Sequence, residues 1–201
     1  FSIGAMATLR ALEQHPGLSA YTNGAVRDAV KDIVGVQFRN MATVGGSIWG
    51  RFGFSDVLTV FLAMDCRVEL YKGGQVPLWK FAQQKKDRDI LVRLIIKKTS
   101  GKMVYQAMRN QRTDFPVLTC AVACMDGEYR AAIGARPGRA LLIPDAEGIL
   151  ADGITGERAE AFGAYVASRV PTESNLRGSA RYRSRLARVL TTRAVKTLGG
   201  I

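Results

Sequence analysis

The chain has 201 residues, 47% of them hydrophobic, enough for one large core or two small ones, which excludes global disorder. Much of the net charge of +12 lies in residues 85–98 and 177–196, and it suits phosphates, acidic partner surfaces or anionic cofactors without choosing among them. No stretch approaches the roughly 18 apolar residues of a membrane span and no secretory signal opens the chain, so a soluble protein is expected.

The opening Phe1-Ser2-Ile3-Gly4 reads as a strand running into a helix start. A chain that begins inside an element, without an initiator Met, reads as a fragment or a processed product. Residues 8–15 form a short predicted helix with Thr8 as N-cap and Pro16-Gly17 as its stop, which puts the single histidine, His15, at the surface or the C-cap. Ala25, Val26, Ala29, Val30 and Ile33 share one face of a second helix over 23–34, closed by Gly35. The paired glycines in Thr43-Val44-Gly45-Gly46-Ser47 predict a turn. Asp56 starts an apolar helix over 57–64, followed by an alternating strand over 66–71. A short edge element at 76–78 leads through Trp79 to a loop, and 90–98 is a strongly apolar strand.

Ser100-Gly101-Lys102 is the candidate boundary, giving two pieces, 1–98 and 99–201. Beyond it come an apolar segment over 114–124, an Asp126-Gly127 hairpin turn, a strand over 129–134 and a third over 139–143. Helices follow at 157–169 and 179–197, the last closed by Gly199-Gly200. The class is α+β, the second piece being a three-stranded antiparallel sheet backed by helices. Cys66, Cys120 and Cys124 leave one thiol over in any pairing and read as core cysteines of a reducing compartment. With one histidine and no fourth thiolate, neither a zinc site nor an iron–sulfur cluster is expected within the chain.

The glycine pair by itself is ambiguous, since turns need glycines whether or not a ligand is near. No Gly-x-Gly-x-x-Gly fingerprint follows a strand, and no phosphate loop ending in Gly-Lys-Ser or Gly-Lys-Thr is present. Order and spacing say more. Arg39-Asn40, Thr43-Val44-Gly45-Gly46-Ser47 and Ser55-Asp56 are preceded by Ile3-Gly4-Ala5 and followed by Asp114-Phe115-Pro116 and Arg177-Gly178-Ser179-Ala180-x-Tyr182-Arg183. This combination, spread over nearly the whole chain, resembles the FAD-binding medium subunit of the molybdenum hydroxylases, the group of xanthine dehydrogenase and aerobic carbon monoxide dehydrogenase.

The resemblance implies the second subdomain of a PCMH-type FAD-binding domain followed by a carbon monoxide dehydrogenase flavoprotein C-terminal-like domain. It implies FAD as cofactor, approached by Thr43, Val44, Gly45, Gly46 and Ser47, with Asp56 accepting from ribityl hydroxyls, Ser55 beside it and Arg39 bracing the segment. Trp49, Phe52 and Phe54 replace a smaller polar loop and either stack on the isoalloxazine, pack against a partner or shield an altered pocket. The family's glycine-rich subdomain that holds the pyrophosphate precedes this stretch and is expected to be missing. The implied partners are a molybdopterin-binding large subunit and an iron–sulfur small subunit in the cytoplasm, with NAD or another acceptor taking the electrons. The alternatives are a structural or assembly subunit of the same fold that has lost flavin, and a basic nucleic-acid-binding protein using the arginines beyond Arg177.

Overall fold

Two antiparallel four-stranded sheets carry the molecule in the computed structural model, which describes residues 1–201. In the first half β1 (Ser2–Gly4) is followed by five short helices: α1 (Leu9–Gln14), α2 (Pro16–Tyr21), α3 (Ala25–Val30), α4 (Val36–Met41) and α5 (Val44–Trp49). Then come α6 (Asp56–Leu62), β2 (Cys66–Leu70), β3 (Gly74–Pro77), α7 (Leu78–Gln83) and β4 (Leu91–Ile96), and the sheet runs in the order β1-β4-β2-β3. The second half holds β5 (Gly101–Arg109), β6 (Pro116–Met125), β7 (Glu128–Gly134) and β8 (Leu141–Pro144) as a simple meander, then α8 (Gly156–Arg169) and α9 (Ala180–Gly199).

Several expectations change, among them the loop expected at Trp79, which is helix α7. Helix α1 ends before Pro16 with His15 as its C-cap, as expected, but Pro16 also begins α2 at its first position, where its missing N–H costs nothing, and His15 Nδ1 caps that second helix by accepting from Leu18 N at 3.0 Å. The Thr43 to Ser47 segment is a helix start rather than a turn, because Thr43 is an extended N-cap whose Oγ1 accepts from Gly46 N at 3.1 Å. The second sheet has four strands, not three, since the 101–109 stretch is a full strand paired with β6.

The second sheet is covered on both faces. Met103, Tyr105, Ala121, Ala123 and Met125 join the core of the first half, while Val104, Cys120, Val122 and Ile133 pack under α8 and α9. A strand buried on both faces has no polar side, and this is why β6 reads Pro-Val-Leu-Thr-Cys-Ala-Val-Ala-Cys-Met with hardly a break. Its one buried hydroxyl, Thr119, bonds Thr59 of α6 at 3.0 Å, so the site-bearing helix is pinned to the second sheet. The β6–β7 turn has Asp126 and Gly127 at φ 52 and 82, the left-handed pair such a two-residue hairpin needs. Cys66, Cys120 and Cys124 are free, and burial pushes the Cys120 thiol up to about 12 and raises Cys66 too.

Candidate cofactor site

A cleft of about 460 Å³ opens where α4, α5 and α6 meet the β5–β6 connection. Its floor is the first turn of α5, one polar end is the start of α6, and the far wall comes from the second half through Arg109, Asp114 and Phe115.

The floor is built by hydroxyls that tie neighbouring elements together. Ser47 Oγ donates to Thr43 O at 3.1 Å, and Ser55 Oγ donates to Ser47 O at 3.0 Å while accepting from Leu58 N at 3.1 Å. Ser55 is therefore both the N-cap of α6 and the link to α5. The two glycines divide the work. Gly45 packs backbone to backbone on the strand end, its N–H donating to Ala5 O at 2.7 Å, and a Cβ there would lie 2.7 Å from both Ala5 Cβ and Ala5 O. Gly46 faces the cleft.

Because Val44 N donates to Ala7 O and Gly46 N to Thr43 Oγ1, the first-turn amides of α5 are all engaged within the chain. What this floor keeps for a ligand is side-chain chemistry: the Thr43 hydroxyl proton and the Ser47 lone pairs. Of the sequence-derived candidates, Thr43, Gly46, Ser47, Ser55 and Asp56 line the cleft. Arg39, Val44, Gly45 and Trp49 do not. Buried Arg39 donates to Glu13 Oε2 at 2.9 Å and to Ile33 O at 3.0 Å, bracing α1 against α4. Val44 is core, and Trp49 packs on Phe81 at 5.8 Å with the Arg51 guanidinium stacked beside it.

The aromatic rim is made by the loop before α6 and by Phe115. Phe52 and Phe54 stack at 5.2 Å and 6°, and Phe54 meets Phe115 edge-on at 4.5 Å. All three are close to half exposed, an apolar wall facing the opening. Lys86 and Arg177 stand over the rings of Phe52 and Phe115 at 5.0 and 5.1 Å and make the mouth cationic.

Asp56 sits at the polar end, 5% exposed, where its Oδ1 accepts from Tyr105 Oη and from Arg109 Nη2. Burial pushes its carboxyl above the usual range, against the opposing pull of Arg109 and Tyr105. Burial and the neighbouring Asp56 charge raise Tyr105 well above its usual value, so it stays a donor. Tyr105, Arg109 and Phe38 are site residues that sequence reasoning missed. The i, i+4 spacing of Tyr105 and Arg109 on one strand face was a usable signal, had β5 been recognised as a strand.

Residues 1–99 match the FAD binding domain in molybdopterin dehydrogenase, and 103–198 match the CO dehydrogenase flavoprotein C-terminal domain. The chain belongs to the FAD-binding subunits of the molybdenum hydroxylase family. It is 28% identical over 189 residues to the uncharacterized protein YgfM of Escherichia coli (strain K12), covering 94% of this chain and 69% of that one. Carbon monoxide dehydrogenase from Hydrogenophaga pseudoflava has the same fold, with a TM-score of 0.86 at 22% identity over 98% of this chain and 74% of that one. Quinoline 2-oxidoreductase from Pseudomonas putida 86 follows at TM-score 0.83 and 18% identity, covering 99% of this chain and 74% of that chain. The subunit is thus an α+β flavoprotein component of an oxidoreductase family, and none of its helices is long and apolar enough to cross a membrane.

The residues in the cleft fit that cofactor class. Flat apolar walls from Phe52, Phe54 and Phe115 suit an aromatic ring, and a row of hydroxyls ending in a carboxylate suits a polyhydroxylated chain. The engaged α5 amides offer nothing to a phosphate, so the cleft matches the ring and chain of a flavin rather than its pyrophosphate.

Proposed function

We propose that this chain is the FAD-binding electron-transfer subunit of a heteromeric molybdenum hydroxylase, standing between the iron–sulfur clusters of a small subunit and NAD or another acceptor. A molybdopterin-binding large subunit is the other partner. FAD, when bound, supplies the electron chemistry, and the protein supplies position and electrostatics. The observation that carries the reading is the cleft, with an aromatic wall at one end and the buried Asp56 carboxylate at the other.

Within it Thr43, Gly46, Ser47, Ser55 and Asp56 are the contact residues, and Arg39, Val44, Gly45 and Trp49 support them from behind. Gly46 lets the ligand approach the α5 backbone, and the Thr43 hydroxyl donates while Asp56 accepts from the chain hydroxyls. The phenylalanine wall keeps water from the ring face. The first piece, 1–98, contributes the floor, and the second, 99–201, the wall that closes it. The free, unbridged thiols support a cytoplasmic setting.

The test is to purify the protein with its native partners and read the visible spectrum. Absorption at about 370 and 450 nm, with FAD released on denaturation, is the expected result. A fully assembled but colourless complex would sink the reading in favour of a subunit that keeps the fold without flavin.

A further inference from the structure

The two groups that hold Asp56 come from outside the segment that forms the cleft floor. Tyr105 and Arg109 stand on β5, 49 and 53 residues further along the chain. Arg109 is fixed by a second bond, Nη1 donating to Asp114 O at 2.7 Å, so one guanidinium ties the Asp56 carboxylate to the loop that carries Phe115. The register of β5 on β6 shifts between Met108 and Arg109 through one extra residue on β6, Val117, so β5 keeps its alternation and Arg109 shares a face with Tyr105. Both donors use Oδ1. Two convergent charge-assisted bonds on one oxygen hold the carboxylate in a single rotamer, and the acceptor capacity left in the cleft is that of Oδ2.

We propose that Tyr105 and Arg109 are positioning residues: by occupying Oδ1 of Asp56 they fix the carboxylate plane and reserve Oδ2 for a hydroxyl of the ligand's ribityl chain. The second half of the chain thereby sets the cleft's recognition of the chain portion of the ligand, while the aromatic wall recognises the ring. This rests on the flavin reading of the cleft. It also requires that chain recognition and ring recognition be separable, which a plain interdomain ion pair does not.

Riboflavin and lumiflavin share the ring and differ in the ribityl chain, so the ratio of their affinities isolates what Asp56 sees. Fluorescence titration of the purified native protein, stripped of flavin, should show a preference for riboflavin of about tenfold, the worth of one hydrogen bond to a charged group. Tyr105→Phe should cut the preference to roughly threefold and Arg109→Met should abolish it, with lumiflavin affinity held within about twofold. Arg109→Lys, which reaches one partner but not both, should lie between Arg109→Met and the wild type. Asp56→Asn separates the two claims. If it abolishes the preference while Tyr105→Phe and Arg109→Met leave it intact, the positioning role is overturned and the flavin reading stands. Equal loss of both ligands in the Tyr105 and Arg109 variants also overturns it, in favour of a structural role. Binding of neither flavin by the wild type defeats both. Should Arg109→Met fail to fold, Tyr105→Phe, which removes one oxygen, decides.

Discussion

Two buried charges, one on each side of the second sheet, are treated in opposite ways. Arg183 on α9 is 1% exposed and four of its five donors are spent on the chain: Nε to Val117 O at 2.9 Å, Nη1 to Glu173 O and Gly178 O, and Nη2 to Asn175 Oδ1 at 2.6 Å. All these acceptors are neutral, and together they sew the 173–178 loop and α9 onto β6. Asp56 is nearly as buried, yet its two bonds fall on one oxygen and it lines an open cleft. A buried charge whose capacity is filled by its own chain is a structural tie, whereas one with capacity left over is available to a ligand. Both residues belong to stretches that carry the family resemblance, so a motif match does not by itself separate anchors from contacts.

The comparison is broken most directly at Arg183. Replacing it with Met takes the guanidinium donors from Val117 O and Glu173 O and one of two donors from Gly178 O and Asn175 Oδ1, and a loss of about 3–5 kcal/mol in denaturant unfolding is expected. Arg183→Lys recovers part of this, because an ammonium cannot span acceptors set around a planar fork. If Arg183→Met unfolds at the wild-type midpoint, the tie is not one.

Much of this contrast was hidden from the sequence for physical reasons. Helix α9, the Asp126-Gly127 hairpin and the Asp56 helix start were legible because each depends on local periodicity or turn chemistry. Helix α5 was not, since two glycines argue against a helix while the contact with Ala5 that demands one of them, Gly45, is tertiary. Strand β5 was missed because Lys102, Gln106 and Arg109 interrupt an edge strand whose two faces meet two different cores. With it went Tyr105 and Arg109, whose partner lies about half a domain away in sequence. The burial of Arg183 within an arginine-rich helix start was likewise illegible, because its acceptors are backbone carbonyls brought in by the fold.

The next largest effect falls at Gly45. A Cβ there meets Ala5 Cβ and the Ala5 carbonyl at 2.7 Å, and backbone on both sides leaves little room to yield. Gly45→Ala should cost about 1–3 kcal/mol in thermal or denaturant unfolding. Acid sharpens the contrast further through Glu13, which Arg10 and Arg39 grip from both sides. Burial alone would raise its pKa, but the hydrogen bonds and charges of the two arginines outweigh that and the net direction is down. A carboxyl with a lowered native pKa contributes stability above its ordinary value of 4.5, lost as the pH falls through the native one. Asp56, raised by burial, acts with the opposite sign: stability is lost as the pH rises from its ordinary 3.8 through its native value. Unfolding midpoints measured from neutral to acid pH should therefore fall less steeply in Glu13→Gln, at an overall cost of about 1–2 kcal/mol, and more steeply in Asp56→Asn. Parallel profiles for all three proteins would contradict both assignments.

Gly46 is the counterpart of Gly45, and its replacement should change stability least and binding most. A Cβ at Gly46 meets only Thr43 Oγ1, at 3.3 Å, a contact the hydroxyl relieves by shifting a few tenths of an ångström. Alanine also suits a helical position better than glycine by roughly 0.5–1 kcal/mol, so Gly46→Ala should unfold within about 0.5 kcal/mol of the wild type. The same methyl stands on the cleft floor, where the ligand would lie against the α5 backbone. Flavin affinity should then fall by about tenfold or more, the ring and the chain suffering together because the floor underlies both. That pattern differs from the Asp56 variants, which lose only the discrimination between riboflavin and lumiflavin. A Gly46→Ala protein that is stable and binds flavin as well as the wild type would mean that the ligand does not rest on α5.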